Sequence, residues 1–183
     1  MLMSDLRPAP FLSLPDFVAA GRAADARRLS DRLLRSDSAV RTLQEWCEER
    51  CIGEGRIRLV RAAGEGEPTP PGLLGHLEGE DGEIVRHRRV VLTRGAVGLS
   101  DCDLWWLPGR LPRRLAEALD TTDHPFGLIV APMRPRRRTV FVDVMRGRHV
   151  LEHQVVVEVP VEPGTRPVAV VRERYRLALA RLG

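Results

Sequence analysis

Two charged residues in strand-like segments have the type and the spacing to hold a small acid. In segment 88–92 the two-residue period of a strand places Arg88 on the same face as the apolar residues two and four positions further on. In segment 171–175 the same period places Glu173 on the face of its apolar and aromatic neighbours two positions away. Each strand is therefore predicted to direct one charge toward the core.

These two charges have two interpretations on pattern alone. A buried charge is costly unless it is paired, so Arg88 and Glu173 could form a structural salt bridge among the core side chains. Alternatively they flank an anionic ligand, because a planar guanidinium can grip a carboxylate by two hydrogen bonds. The period of a strand does not fix its register with another strand, so both interpretations stay open at this point.

The motif from His149 to His153 has the spacing H-x-x-E-H of some zinc peptidases. That chemistry requires a helix, on which both imidazoles can meet one metal ion. The surrounding residues are β-branched and predict a strand, where positions four apart lie about 13 Å from each other at ~3.3 Å per residue. We therefore expect no metal at this motif.

The three cysteines are a second candidate for metal binding. Cys47 and Cys51 lie four positions apart on a predicted helix, but no second Cys or His pair stands at ligand spacing. We expect both to be buried structural residues. With Cys102, they are expected to be reduced thiols, because a chain of this size does not need disulfides.

A basic run extends from Met133 to Arg138 and could contact phosphates. It contains no interleaved aromatic residues on which bases could stack. We expect a solvated basic loop between two strands, and nucleic-acid binding is the weakest of our functional hypotheses.

Composition excludes some chemistry and restricts location. The 183 residues contain 29 basic side chains, all of them arginine, and a Schiff-base or pyridoxal enzyme needs a lysine amine. The net charge of +4 is spread along the chain and does not select a class of partner. No apolar run has the length of a membrane span and no basic leader precedes one, so we expect a cytoplasmic protein.

The apolar periods predict an α+β fold that forms one domain over residues 1–183. A single antiparallel sheet of about six strands is expected, with helices packed on one face and forming flaps over a buried ligand pocket. Predicted helices cover 15–35 with a break at Gly21, a segment that follows the polar run 36–38, which suits an N-cap, and ends near Gly53, and 111–119. Predicted strands cover 56–61, 83–93, a segment ending at Trp106, 139–145, 150–159 and 167–176, and 62–82 is expected to be a loop or flap.

Four segments, in order and over nearly the whole chain, resemble the chorismate pyruvate-lyase family, which converts chorismate to 4-hydroxybenzoate and pyruvate. Segment 33–43 is similar to the family's early helix entry, and 87–92 to the strand whose arginine binds the ring carboxylate. Segment 107–127 resembles the family's helix with its Pro-apolar-Gly turn, and 166–175 the last strand with its glutamate.

The resemblance implies six substrate-binding positions, which are Ala39, Val40, Arg88, Phe126, Gly127 and Glu173. Arg88 and the backbone amide of Phe126 would bind the ring carboxylate, and Glu173 would contact the hydroxyl end of the ring. Arg88 and Glu173 are the implied catalytic pair. Ala39 and Val40 stand where larger or hydroxyl-bearing side chains can occur, which leaves the pocket size and the substrate open.

The function that the resemblance implies is a carbon-oxygen lyase that supplies a precursor for ubiquinone or a secondary metabolite. It would act as a monomer on chorismate, release an aromatic acid, and need neither a metal nor an organic cofactor. An apolar pocket would raise the pKa of Glu173, which could then accept a proton or a hydrogen bond. The alternative is a non-catalytic binder of an aromatic acid, because the same fold occurs as an effector-binding module, although residues before Gly55 show no convincing helix-turn-helix.

Overall fold

The computed structural model describes residues 14–62 and 68–180, which form a six-stranded antiparallel sheet and four α-helices. The predicted α+β class is therefore confirmed. The strands are β1 Ile57–Arg61, β2 Arg86–Arg94, β3 Val97–Trp106, β4 Arg136–Asp143, β5 His149–Pro160 and β6 Thr165–Arg176. The helices are α1 Leu14–Leu34, α2 Ala39–Glu49, α3 Arg113–Thr121 and α4 Phe126–Val130, with short 3-10 helices at Leu73–Leu77, Pro108–Arg110, Ala131–Met133 and Leu177–Ala180.

The strand order in the sheet is β1-β2-β3-β6-β5-β4. Two meanders, β1-β2-β3 and β4-β5-β6, meet where β6 pairs with β3 at the centre. Short connections join β2 to β3, β4 to β5 and β5 to β6, whereas the long segment 62–85 joins β1 to β2. All five strand pairs are antiparallel. This order puts Arg88 of β2 and Glu173 of β6 on opposite sides of β3.

One face of the sheet, called the pocket face, carries Arg88 and Glu173 and is covered by all four helices. Buried residues of α1 and α2 pack over one end of the strands, together with Leu92 of β2 and Leu151 of β5. Buried residues of α3 and α4 pack over the other end, together with Val157 of β5 and Val171 of β6. Two apolar clusters thus flank the middle of this face, and the space between them is available to a ligand.

The opposite face of the sheet, called the rear face, is also buried at its centre. The 3-10 helix Leu73–Leu77 covers Trp105 there, within the expected loop or flap. Arg172 and Arg174, predicted on the face opposite to Glu173, lie on the rear face and are only 4% and 2% exposed. The prediction that each strand turns one charge inward is therefore wrong for β6, because both of its faces are covered.

Helix α1 is one continuous helix of 21 residues, whereas the sequence suggested a break at Gly21. A glycine within a helix costs about 0.5–1 kcal/mol relative to alanine. Burial of Ala26, Leu29 and Leu33 against the sheet outweighs that cost. Among the described residues, no helix combines the length and the apolar content that crossing a bilayer would require.

Helix α2 begins directly after the polar run 36–38, where the sequence predicts an N-cap. Ser38 is the N-cap, and its Oγ accepts a hydrogen bond from the backbone N–H of Arg41 at 3.3 Å. Trp46 and Cys47 are buried on the face that contacts the sheet, but Cys51 follows the helix and is exposed. The expectation that Cys51 is a buried structural residue is wrong, because the helix ends at Glu49, before that position.

The predicted basic loop is only partly a loop. Strand β4 begins at Arg136, three residues earlier than expected, and Arg137 pairs in register with Val157 of β5. Backbone pairing with β5 extends the strand into the arginine run, because the hydrogen bonds of the sheet are made by main-chain N–H and C=O groups, which each arginine carries. As a consequence Arg137 is held at the sheet and is not a solvated loop residue.

Candidate ligand-binding site

A cavity of about 310 Å³ lies on the pocket face, between the two apolar clusters. Strands β2, β3, β5 and β6 form its floor, and the first residues of α2 and α4 form its walls. The floor is mostly apolar, and its side chains include Val90, Leu92, Cys102, Leu104, Val157 and Val171. Three charged side chains, those of Arg88, Arg137 and Glu173, interrupt this lining, and the exposed Asp37 lies at the edge.

All six positions implied by the resemblance line this one cavity. Ala39 and Val40 open α2, and Phe126 and Gly127 open α4, so the two helix starts face each other across the site. Arg88 and Glu173 come from the floor. The structure brings these residues together, and their roles as substrate contacts stay predictions.

The Arg88 guanidinium is fixed by backbone carbonyls at the end of α3. Its Nη1 donates to the carbonyl oxygens of Leu119 at 3.0 Å and Thr122 at 3.3 Å, and its Nη2 donates to that of His124 at 3.3 Å. These bonds use three of the five N–H groups of an arginine. The Nε of Arg88 has no hydrogen-bond partner among the described residues.

Arg88 is a buried cation for which the described residues provide no carboxylate partner. It is 7% exposed, and no acid of the described residues lies within ion-pair distance of it. Burial, helped by the nearby Arg61 charge, lowers the pKa of Arg88 from its ordinary value, while Asp123 and Asp120 oppose this change. A guanidinium stays protonated in proteins, so the site keeps an incompletely neutralised positive charge.

Glu173 is paired with Arg137, a residue that sequence reasoning did not select. Arg137 Nη2 donates to Glu173 Oε2 at 2.8 Å, and the hydroxyl of Tyr175 donates to the same oxygen at 2.7 Å. The two-residue period of a strand could have identified Arg137. If the predicted strand is extended backward from Thr139, Arg137 lies on the face opposite to that of its exposed neighbours Arg136 and Arg138.

The structure decides between the two interpretations of the charge pair. Arg88 and Glu173 stand opposite Leu104 and Cys102 of β3, which separates their strands. At ~4.8 Å between strands and ~3.3 Å per residue, their Cα atoms lie about 12 Å apart. Each has its own partners, so a structural salt bridge between Arg88 and Glu173 is not formed.

The expected rise in the pKa of Glu173 is wrong. Burial does raise it, but the Arg137 charge and the hydrogen bonds from Arg137 and Tyr175 outweigh burial and hold the pKa below its ordinary value. Glu173 is therefore an ionised hydrogen-bond acceptor at neutral pH. A carboxylate with a lowered pKa is a weak general base, so this geometry favours binding over proton abstraction.

The polar groups continue from Glu173 into the core beneath α1. The ring of Tyr175 meets that of His153 edge-on, with centroids 5.7 Å apart, and His153 Nε2 lies 2.9 Å from Ser30 Oγ. Burial lowers the pKa of His153 and raises that of Tyr175, so both side chains are neutral. Of the polar side chains Glu173, Tyr175, His153 and Ser30, Glu173 is the one that is charged at neutral pH.

The H-x-x-E-H motif lies on β5, in a strand as expected. His149 contacts Asp101 on the rear face at 2.7 Å, whereas His153 contacts Ser30 under α1. The two imidazoles thus bind different partners on different sides of the sheet. Within residues 14–62 and 68–180 no cluster of three His, Cys, Asp or Glu residues has a geometry that could hold a metal ion.

Comparison with known sequences gives one relative of limited coverage. No family model matches the chain, so membership of the chorismate pyruvate-lyase family stays a prediction. Protein y4mC of Sinorhizobium fredii (strain NBRC 101917 / NGR234) is 33% identical over 106 residues. The match includes 56% of this chain and 44% of that protein, so the chain spans less than half the length of this relative.

Several solved structures resemble parts of the fold. One of them, from Bordetella bronchiseptica, is described as the ligand-binding domain of a GntR-family transcriptional regulator. It is 23% identical, has a TM-score of 0.38, and the match covers 66% of this chain and 78% of that chain. A protein from Bacillus subtilis subsp. subtilis strain 168 that is described as the transcriptional regulator YydK is 11% identical, with a TM-score of 0.43 and coverages of 69% of this chain and 61% of that chain. The C-terminal domain of histidine utilization repressor from Pseudomonas syringae pv. tomato strain DC3000 is 11% identical, with a TM-score of 0.44 and coverages of 70% and 96%. Likeness at this level carries no argument about ligand or activity.

Proposed function

We propose that this chain is a small-molecule-binding domain whose ligand is an aromatic acid. The observation that carries the proposal is Arg88, a guanidinium that lines an apolar cavity and is buried without a carboxylate partner among residues 14–62 and 68–180. A buried charge is stabilised by an opposite charge that shares its low-dielectric environment. A ligand carboxylate would supply that charge and would accept hydrogen bonds from the N–H groups of Arg88 that do not donate to backbone carbonyls.

The rest of the lining suits an aromatic ring. Val90, Leu104 and Val171 form an apolar floor, and Phe126 lies in the wall. A volume of about 310 Å³ is at the lower end of the ~300–1,000 Å³ typical of small-ligand sites, which favours a ligand with a single ring. The ionised Glu173 would accept a hydrogen bond from a polar group on the ring.

A chorismate pyruvate-lyase is the second candidate, because the six positions carried over from that family all line this cavity. The lowered pKa of Glu173 weakens it as a proton acceptor, which is why we rank binding first. Under either function, a cytoplasmic location and a monomeric state stay predictions.

Titration calorimetry of the purified protein with 4-hydroxybenzoate tests the binding proposal. We expect Arg88→Met to weaken binding about 10- to 150-fold, because a hydrogen bond to a charged group contributes about 1.5–3 kcal/mol. Arg88→Lys keeps the charge without the planar fork and should lose less. Arg58→Met changes an exposed arginine on β1 and is the matched control.

Two outcomes would count against the proposal. If the folded protein, verified by circular dichroism, binds no aromatic monoacid, or if Arg88→Met binds as tightly as the Arg58→Met control, the site is not a carboxylate site. Incubation with chorismate separates the second candidate. Sustained release of pyruvate that Glu173→Ala and Arg88→Ala abolish would establish a lyase instead of a binding domain.

A further inference from the structure

We infer that the outer edge of β4 is a dimer interface, at which segment 138–143 pairs in the antiparallel direction with the same segment of a second copy of this chain. The two six-stranded sheets would then join into one continuous sheet. None of these six residues lines the cavity, so the inference goes beyond the proposed function. A dimer would replace the monomeric state that the family resemblance implies.

Strand β4 is the last strand of the sheet, and no strand among residues 14–62 and 68–180 pairs with its outer side. An edge strand presents main-chain N–H and C=O groups that can bond to another strand. Segment 138–143 reads Arg-Thr-Val-Phe-Val-Asp, and its four central residues are β-branched or aromatic, which suits a strand. Phe141 and Val142 project on opposite faces and are 45% and 41% exposed, so a partner strand would cover apolar surface on both faces.

The charges of this segment complement those of its own copy. Arg138 and Asp143 stand at its two ends, and both are exposed on the rear face. Antiparallel pairing about a two-fold axis puts Arg138 of each copy opposite Asp143 of the other. Within one chain Asp143 is paired in register with Glu152, and two acids directly opposite each other are destabilising. An arginine from the second copy would offset that repulsion.

The bulge in β4 selects one register for this pairing. The ladder with β5 shifts between Thr139 and Phe141, which leaves Val140 as an extra residue. Val140 packs against the apolar cluster of the rear face, and Phe141 projects on the same face. A two-fold axis between these two residues places them opposite each other, with Thr139 opposite Val142 on the pocket face. Opposed side chains then share a face along the whole segment, as antiparallel pairing requires.

Bulges and basic side chains on an edge strand discourage pairing with most other strands. In this segment the same two features favour one partner. A parallel copy would place Arg138 against Arg138 and Asp143 against Asp143, and a regular strand would not match the bulge. An antiparallel copy satisfies both the charges and the register, which favours a second copy of this chain over an unrelated peptide. Because such an interface is isologous, the assembly closes at two copies.

Sedimentation velocity over a range of protein concentrations tests the inference. We expect the wild-type protein to dimerise and Asp143→Arg to weaken the dimer about 10-fold or more, because two attractive charge pairs become repulsive. The new arginine would lie opposite Glu152 in its own chain, so the fold should be retained. Phe141→Lys should weaken the dimer similarly. The matched control is Val60→Lys, which changes an exposed apolar residue of the other edge strand, β1, and should leave the dimer unchanged.

Hydrogen exchange of the main-chain amides in 138–143 separates strand pairing from other modes of association. In the wild-type protein the protection of these amides should increase with protein concentration, and Asp143→Arg should abolish the increase. Protection that is the same at every concentration would mean that another part of the same chain covers this edge, which would overturn the inference.

Three other results would also overturn it. These are a wild-type protein that stays monomeric at every concentration, a dimer that Asp143→Arg and Phe141→Lys both leave intact, and a dimer that Val60→Lys weakens as much as they do. If Phe141→Lys fails to fold by circular dichroism, Asp143→Arg and the exchange of the wild-type amides decide the question.

Discussion

Replacing Arg137 with methionine should destabilise the fold through the carboxylate that it leaves behind. Glu173 is 5% exposed and lies 2.8 Å from Arg137, so the variant leaves a buried negative charge without its cation. Breaking a buried ion pair by removing one partner costs about 3–5 kcal/mol. For a chain of this size each kcal/mol lowers Tm by about 2–4 °C, so the expected fall is on the order of 10 °C.

The loss should depend on pH in a defined direction. In the wild-type protein Arg137 and Tyr175 hold the pKa of Glu173 below its ordinary value against burial, so its stabilising contribution is present above the unfolded-state pKa and is lost as the pH falls through the folded-state pKa. In Arg137→Met burial dominates and the pKa rises, so the variant loses stability as the pH rises. The difference between the two proteins should grow from about pH 4 to pH 7.

Urea denaturation followed by circular dichroism between pH 4 and pH 8 measures this difference. Arg136→Met, on an exposed side chain of the same strand, should stay within about 0.5 kcal/mol of the wild type. Adding Glu173→Gln to Arg137→Met removes the unpaired charge and should recover part of the loss. A cost below 1 kcal/mol, or one that does not change with pH, would show that the pair is not buried as described.

Two further predictions concern the cysteines and the rear face. Cys51 is exposed, whereas burial raises the pKa of Cys47 to about 11 and that of Cys102 to about 12. A thiol reagent should therefore rapidly modify one thiol per native chain, and Cys51→Ser should remove this rapid phase of the reaction. Rapid reaction of all three cysteines would contradict the burial of Cys47 and Cys102. Asp101→Asn should cost about 3–5 kcal/mol at pH 7, because it breaks the buried pair with Arg176, whose nitrogens lie 2.6 and 2.8 Å from the carboxylate. Burial raises the pKa of Asp101, but Arg176 and His149 outweigh burial and hold the pKa below its ordinary value. In urea denaturation, the difference in free energy of unfolding between wild type and Asp101→Asn should therefore shrink as the pH falls below about 4. A difference that stays constant at acidic pH would refute this assignment.

Much of the fold is readable from local periodicity. The alternation in the last three strand segments predicts β4, β5 and β6, and the polar run 36–38 predicts the start of α2. The missed or shifted elements depend on tertiary contacts. Helix α1 continues through Gly21 because its far end is packed on the sheet, and β4 extends back to Arg136 because β5 pairs with it.

By itself the sequence determined that Arg88 and Glu173 each share a face with core residues, because side-chain direction in a strand depends only on position. Only the tertiary structure decided what each of them meets. The carbonyls on Arg88 come from the end of α3 more than 30 positions away, and Arg137 reaches Glu173 from a strand two places along the sheet. Strand order and register are set by the packing of the whole sheet. No local pattern could therefore show that Glu173 is paired with Arg137, whereas Arg88 has no carboxylate partner in the described part of the chain.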